Sequence, residues 1–150
     1  MSTKLRKYVF DTNCFIDAAR DSEFRAAFDA FCTKAAPGLY LSSVVAAELR
    51  AGAGRSGPTL EREVLAPYIR RQRIVTPSAQ SWDALGTTLA ALAAQGLVPS
   101  DARRSFIFDI LIAHSCREAG AILISANTRD IARIAKVFTF EFVAPFPKLL

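Results

Sequence analysis

Short apolar runs alternate along the chain with longer stretches whose apolar residues recur at helical spacing. The runs predict strands over residues 4–10, 39–41, 74–75, 121–125 and 138–143. The spacing between them predicts helices over 13–20, 22–34, 44–50, 59–71, 81–95, 101–119 and 128–136. Ser22, Ser42 or Ser43, and Ser100 stand where N-caps are needed, and Gly120 stands where a helix must stop. Residues 51–58 carry Gly52, Gly54, Gly57 and Pro58 and predict a flexible loop. The run 121–125 is apolar without alternation, as expected of a strand covered on both faces. Strands and helices alternate from end to end, which predicts an α/β fold with a mainly parallel sheet, helices on both faces, and a single domain over residues 1–150.

Composition narrows the class. With 150 residues, 51% of them hydrophobic, the chain builds a core without disulfides or structural metals. Its 22% charged residues exceed what a membrane protein carries, and no apolar run approaches the roughly 18 residues of a bilayer span. The basic start is followed only by Tyr8-Val9-Phe10 before Asp11, so no signal-peptide core is present and a cytoplasmic location is expected, away from membranes. Cys14, Cys32 and Cys116 match no zinc spacing and are expected to be buried reduced thiols. The net charge of +5 favours a polyanionic partner, and it gains weight only beside a site able to act on one.

Several acids lie where ordinary surface acids do not. Asp11 follows directly on the first apolar run. Glu48 sits about one turn into the helix after the second. Asp109 is the only charge in Phe106-Ile107-Phe108-Asp109-Ile110-Leu111-Ile112, and Asn127 and Asp130 flank the end of the 121–125 run. Asp109 is the most informative. Its helical neighbours at three and four residues are Ser105, Phe106, Ile112 and Ala113, none of them basic. A carboxylate buried in such a run costs several kcal/mol unless it is paired, which leaves a metal or a distant arginine as its partner. In a parallel sheet the strand ends gather Asp11, Asn127 and the start of the Glu48 helix at one edge, and the Asp109 helix overhangs it. Carboxylates crowded together repel unless a cation joins them, and an all-oxygen site suits Mg²⁺ or Mn²⁺. Taken singly, Asp11 is also a turn former, Glu48 a solvated helix residue, Asn127 a cap, and Asp130 a partner for Arg133. His114 lies five residues from Asp109, off its face, and is expected to be structural. A lone histidine excludes a two-histidine ribonuclease.

These segments resemble PIN-domain nucleases, and among them the VapC toxins of bacterial toxin–antitoxin pairs. The resemblance rests on Val9-Phe10-Asp11-Thr12-Asn13, on the segment from Leu41 to Leu49 around Glu48, on Phe108-Asp109-Ile110-Leu111-Ile112-Ala113, and on the segment from Ile122 to Asp130. It implies a PIN-like three-layer α/β/α sandwich with Asp11, Glu48 and Asp109 as the metal-binding acids. The family's fourth polar position falls on Asn127, where many members carry Asp. Asp130 matches a frequent downstream acid, and Ile131 replaces a common Phe. Thr12, Asn13 and Ser125 match small polar positions that orient the acids.

The implied activity is Mg²⁺- or Mn²⁺-dependent hydrolysis of RNA, leaving a 5′-phosphate and a 3′-hydroxyl. The implied partners are a cognate antitoxin and a second copy in a homodimer. Arg50, Arg55, Arg103, Arg104 and Arg129 are candidates to contact RNA, whereas Arg70, Arg71 and Arg73 form a cluster expected to lie apart from the site. Phe15, Phe24, Phe28 and Phe31 are expected in the core, with a partner groove as the alternative. Other readings are a PIN nuclease of RNA processing outside toxin–antitoxin systems and a non-catalytic RNA-binding or interaction module. A haloacid-dehalogenase-like phosphatase needs an Asp where Asn13 stands, and a receiver domain needs paired acids where residues 4–7 are basic.

Overall fold

The apolar runs become the middle layer of the molecule. A computed structural model describes residues 6–100 and 104–149. In it, β1 (Lys7–Phe10), β2 (Leu39–Ser42), β3 (Ile74–Val75), β4 (Ala121–Ile124) and β5 (Phe142–Val143) form one sheet. The order is β3-β2-β1-β4-β5, and every neighbouring pair is parallel. The chain thus builds outward from β1 on one side and then, from β4, on the other. At that reversal Lys7 lies opposite Ala121 and Phe10 opposite Ile124. Sheets of this kind open a ligand crevice beyond the carboxyl ends of the strands at the reversal.

Helices cover both faces, as expected. They are α1 (Thr12–Arg20), α2 (Ser22–Ala35), α3 (Ser43–Ala53), α4 (Gly57–Thr59), α5 (Ala66–Arg70), α6 (Ala79–Ala94), α7 (Arg104–Ala119) and α8 (Thr128–Ile134). Alternate strand residues point to opposite sides. Val9, Leu41 and Leu123 join a core with Val45 of α3, Leu92 of α6, Ile110 of α7 and Ile134 of α8. Tyr8, Phe10, Leu39, Ile122 and Ile124 face Cys14 of α1 and Phe31 of α2. Phe10 meets Phe28 at 4.6 Å and Phe31 at 5.8 Å, and Phe24 meets Phe146 at 5.1 Å, so these phenylalanines pack together as core.

Some local expectations change. Residues 51–58 are not a loop: α3 runs on to Ala53, and helical turns continue through α4 and a π-helical stretch (Leu60–Leu65) into α5. Only Gly54 uses a left-handed backbone, with φ of 53°. Pro58 falls in a first helical turn, where its missing N–H costs nothing, and Leu60, Val64 and Tyr68 gain contact with the core. The cap of α2 is Asp21, which accepts from the N–H groups of Glu23 and Phe24, so Ser22 is the first helical residue. Ser78 caps α6, which starts two residues earlier than its spacing suggested. The last strand contains only Phe142 and Val143. Before it Phe138 and Phe140 stack at 4.8 Å, and Phe140 is buried. The predicted beginnings of the first strand and of the 101–119 helix lie outside the described residues. Gly120 ends α7 with φ of 69°, as a stop residue should.

The cysteines are free, with Cys14 and Cys116 buried and Cys32 half-buried. Among the described residues no helix is long and apolar enough to cross a membrane. His114 shares a 2.7 Å hydrogen bond with the Thr88 hydroxyl and stacks on Phe138 at 3.9 Å, tying α7 to α6 and to the tail. Burial and the nearby Arg117 hold its pKa below the ordinary imidazole value, which fits the structural role expected of it.

Candidate active site

Asp11 leaves the carboxyl end of β1, where its N–H donates to the Ile124 carbonyl at 2.8 Å and so continues the ladder to β4. Its side chain then caps α1, accepting from the Thr12 N–H at 2.8 Å. The other carboxylate oxygen accepts from the Ser125 hydroxyl at 2.7 Å and the Asn13 amide at 3.3 Å. Asn13 also bridges across the reversal: its amide reaches Ser125 at 3.3 Å, and its carbonyl oxygen accepts from the Ala126 N–H at 3.1 Å. Thr12 points the other way and donates to Glu48 at 2.8 Å, joining α1 to α3. Thr12, Asn13 and Ser125 therefore each hold an acid or a strand end in place.

Asp109 differs from all of these. It sits in α7 with 7% of its surface exposed, and among the described residues no hydrogen bond or ion pair engages its carboxylate. Burial, then the charges of Asp11, Glu48 and Asp130, push its pKa up to about 9. Asp11 is also raised, because burial outweighs the three donors around it. Glu48 is raised by burial and by Asp11, with Thr12 and Arg104 acting against the shift. The charges of Asp11, Glu48 and Asp130 thus all act on Asp109.

The fourth polar position is used differently from expectation. Asn127 does not turn its amide to Asp11 or Asp109; it donates to Asp130 at 3.1 Å, while Arg133 lies 3.5 Å from the same carboxylate. Asp130 is the residue whose charge reaches Asp109, and Asn127 and Arg133 fix its orientation. The backbone N–H of Asn127 donates to Ser125 at 3.1 Å, so Asn127 serves the site through two neighbours.

Of the basic candidates, Arg104 is near the acids: its charge acts on Glu48, and its guanidinium lies 6.0 Å from the Phe108 ring. Arg50 is engaged by Glu61 at 2.6 Å and 3.1 Å. Arg55 and Arg129 are exposed and form no ion pair among the described residues. Arg103 lies outside the described residues. Arg71 and Arg73, expected apart from the site, line a groove of about 870 Å³ that also borders Glu48. The groove runs between α1 and α2 on one side and α3 to α5 on the other. The sequence shows no sign of it, because its walls come from segments whose mutual approach is set only by the tertiary fold.

The donor set fits a hard divalent cation. It is all oxygen, two of its carboxylates are buried, and one of them lacks a counter-charge among the described residues. Among the described residues no three His, Cys, Asp or Glu side chains come together closely enough to hold an ion. Mg²⁺ does not require three, since it takes one or two carboxylates and keeps several waters.

Known structures share this architecture. The DNA-bound VapBC complex of Salmonella typhimurium contains a chain 21% identical, with 93% of this chain and 98% of that one covered at a TM-score of 0.68. For VapBC2 of Rickettsia felis bound to a promoter DNA fragment the identity is 20%, the coverage 91% and 97%, and the TM-score 0.64. FitAB bound to the IR36 DNA fragment gives 15% identity, 95% and 98% coverage, and a TM-score of 0.69. At such identities the likeness concerns the fold. No curated protein matches the sequence significantly. The model of the PIN domain family, whose members are in general nucleases that use divalent metals, matches residues 8–137, and the chain belongs to that family.

Proposed function

We propose that this protein is an Mg²⁺- or Mn²⁺-dependent endoribonuclease, a single PIN nuclease domain that acts in the cytoplasm as the toxin of a toxin–antitoxin pair. One observation carries the proposal: Asp109 is buried at the carboxyl edge of the sheet with no basic partner among the described residues, and burial, then the charges of Asp11, Glu48 and Asp130, raise its pKa. A stability-only role leaves that arrangement unexplained, because an isolated buried carboxylate costs free energy.

Asp11, Glu48 and Asp109 would hold the cation, and Asp130 would complete the set from α8. When bound, a divalent ion lowers the pKa of a water nucleophile and offsets charge on the phosphoryl oxygens. The protein's own groups prepare the site for that chemistry. Ser125 and Asn13 fix one Asp11 oxygen, and the Thr12 N–H holds the other. Thr12 holds Glu48. Asn127 and Arg133 hold Asp130. Arg104, beside Glu48, is placed to attract a phosphodiester toward the acids.

The toxin role draws on the fold shared with VapBC and FitAB. On this reading an antitoxin covers the acidic edge, and the protein works as a homodimer. The test is cleavage of a labelled RNA. Activity should need Mg²⁺ or Mn²⁺, stop with EDTA, and vanish in Asp11→Asn and Asp109→Asn with circular dichroism unchanged. Undiminished cleavage in either variant, or in EDTA, would overturn the metal role.

A further inference from the structure

The last turns of α7 border a second pocket, away from the acids. It measures about 270 Å³ and is lined by Lys7 of β1, Tyr40 of β2 and Thr76 just after β3, with Ser115 and Glu118 contributed by the helix. Lys7 begins β1 and Asp11 follows its end, so about 13 Å of strand separates the two residues. A volume just below the range of drug-sized sites suits a ligand of a few heavy atoms.

The polar groups of this pocket are only partly engaged. Lys7 is half-buried, with its ammonium 5.2 Å from the centre of the Tyr40 ring. It donates to the Ala119 carbonyl at 3.4 Å, near the end of α7, and an ammonium has further N–H groups to give. Ser115 is 2% exposed. Its hydroxyl donates to the Ile112 carbonyl at 2.9 Å, which leaves the oxygen to accept. Glu118 takes the Ser78 and Ser81 hydroxyls on Oε2, and among the described residues nothing donates to Oε1. Lys7 and Glu118 line the same space without coming within ion-pair distance of each other.

We propose that this pocket binds a free α-amino acid, with its carboxylate on Lys7 and its ammonium on Glu118 Oε1 and Ser115 Oγ. Charge complementarity selects that class. An inorganic anion satisfies Lys7 but meets the Glu118 carboxylate. A metal ion or a simple amine satisfies Glu118 but meets the Lys7 ammonium. A small molecule carrying both charges answers both, and the Tyr40 and Thr76 hydroxyls offer further hydrogen bonds. The site serves this ligand whether or not the chain cleaves RNA.

The experiment is a titration of the full chain in EDTA with glycine and, separately, with L-serine, followed by ¹H–¹⁵N correlation spectra. Saturable shifts should gather at the amides of Lys7, Thr76, Glu118 and Ala119. N-acetylglycine, which lacks the ammonium, and glycinamide, which lacks the carboxylate, should each bind at least about tenfold more weakly, as expected when a charged hydrogen bond is lost. Glu118→Gln and Lys7→Met should each weaken glycine binding by a similar factor, and Tyr40→Phe by less. Glu23→Gln and Lys34→Met, which remove the same charges from exposed positions on α2, should leave it unchanged. Should Lys7→Met fail to fold, the two truncated ligands still test its role on the wild type. No saturable shift with glycine or L-serine up to about 50 mM, far above a millimolar Kd, overturns the proposal. Equal binding of N-acetylglycine would make this an anion site, and equal binding of glycinamide a cation site; either result overturns it too. So does undiminished glycine binding in Glu118→Gln.

Discussion

The two ends of α7 carry acids that the fold treats in opposite ways. Glu118, in the last turn, is exposed and accepts from the hydroxyls of Ser78 at 2.7 Å and Ser81 at 2.9 Å, which lower its pKa. Asp109, nearer the start, is buried, receives no donor among the described residues, and is pushed up to about 9. Glu118 fastens α6 to α7. Among the described residues Asp109 fastens nothing, and its burial beside Asp11, Glu48 and Asp130 disfavours its charged form. The lesson is that burial alone does not mark a functional carboxylate; burial without a partner, beside other acids, does.

The sharpest way to break the comparison is to remove each charge in turn. Asp109→Asn should lower kcat/KM for RNA on the order of 10²–10³-fold or more, the scale of losing a direct electrostatic group, whereas Glu118→Gln should leave cleavage within about twofold. Equal effects would erase the distinction. Next in size is the support around Asp11. Ser125→Ala should raise the Mn²⁺ concentration needed for half-maximal activity about 10–100-fold, as expected when a group orienting a ligand is lost; Ser81→Ala, which donates to Glu118 instead, should not shift it.

Stability should follow pH in a way that Asp109 dictates. Its folded pKa lies above the unfolded value of 3.8. The stability linked to its protonated form is therefore complete below about pH 4 and is lost as pH rises toward 9. In EDTA the protein should melt lower at pH 8 than at pH 5, with a loss on the order of 1–3 kcal/mol, or about 3–10 °C. Asp109→Asn should remove most of that slope, and Mn²⁺ should restore the wild type at pH 8. An unchanged melting curve across this range would contradict the burial of the carboxylate beside other acids. The smallest effect belongs to the structural end: Ser78→Ala removes the cap of α6 and should cost about 1 kcal/mol in denaturant titrations with cleavage intact.

Asp109 is legible in the sequence because a single charge inside an apolar run contradicts the pattern around it. Asp11 is legible for a different reason: it follows an apolar run that can only be a strand, and parallel strands bring such ends to one edge, whereas Ser125 enters only through the family resemblance. Glu48 is ordinary by itself and gains meaning from that convergence. What the chain conceals depends on packing. Glycines at 52, 54 and 57 read as a loop, yet helical hydrogen bonding persists through them because the following Leu60, Val64 and Tyr68 are drawn onto the core. The turn of the Asn127 amide toward Asp130 is a rotamer choice that spacing does not encode. The placement of Arg71 and Arg73 along the groove follows from the tertiary packing around α5 and β3, which sets Arg73 2.7 Å from the Ala36 carbonyl.

The hydrogen bond from Ser125 to Asp11 joins residues 114 positions apart. Translation delivers Asp11 early and Ser125 late, so a ribosome must have added Ser125 before this edge of the sheet can close. Strand β1 waits through synthesis for its neighbour β4, and until then Asp11 lacks the wall that orients it. A nascent chain therefore cannot assemble this edge of the sheet until most of its 150 residues have been made.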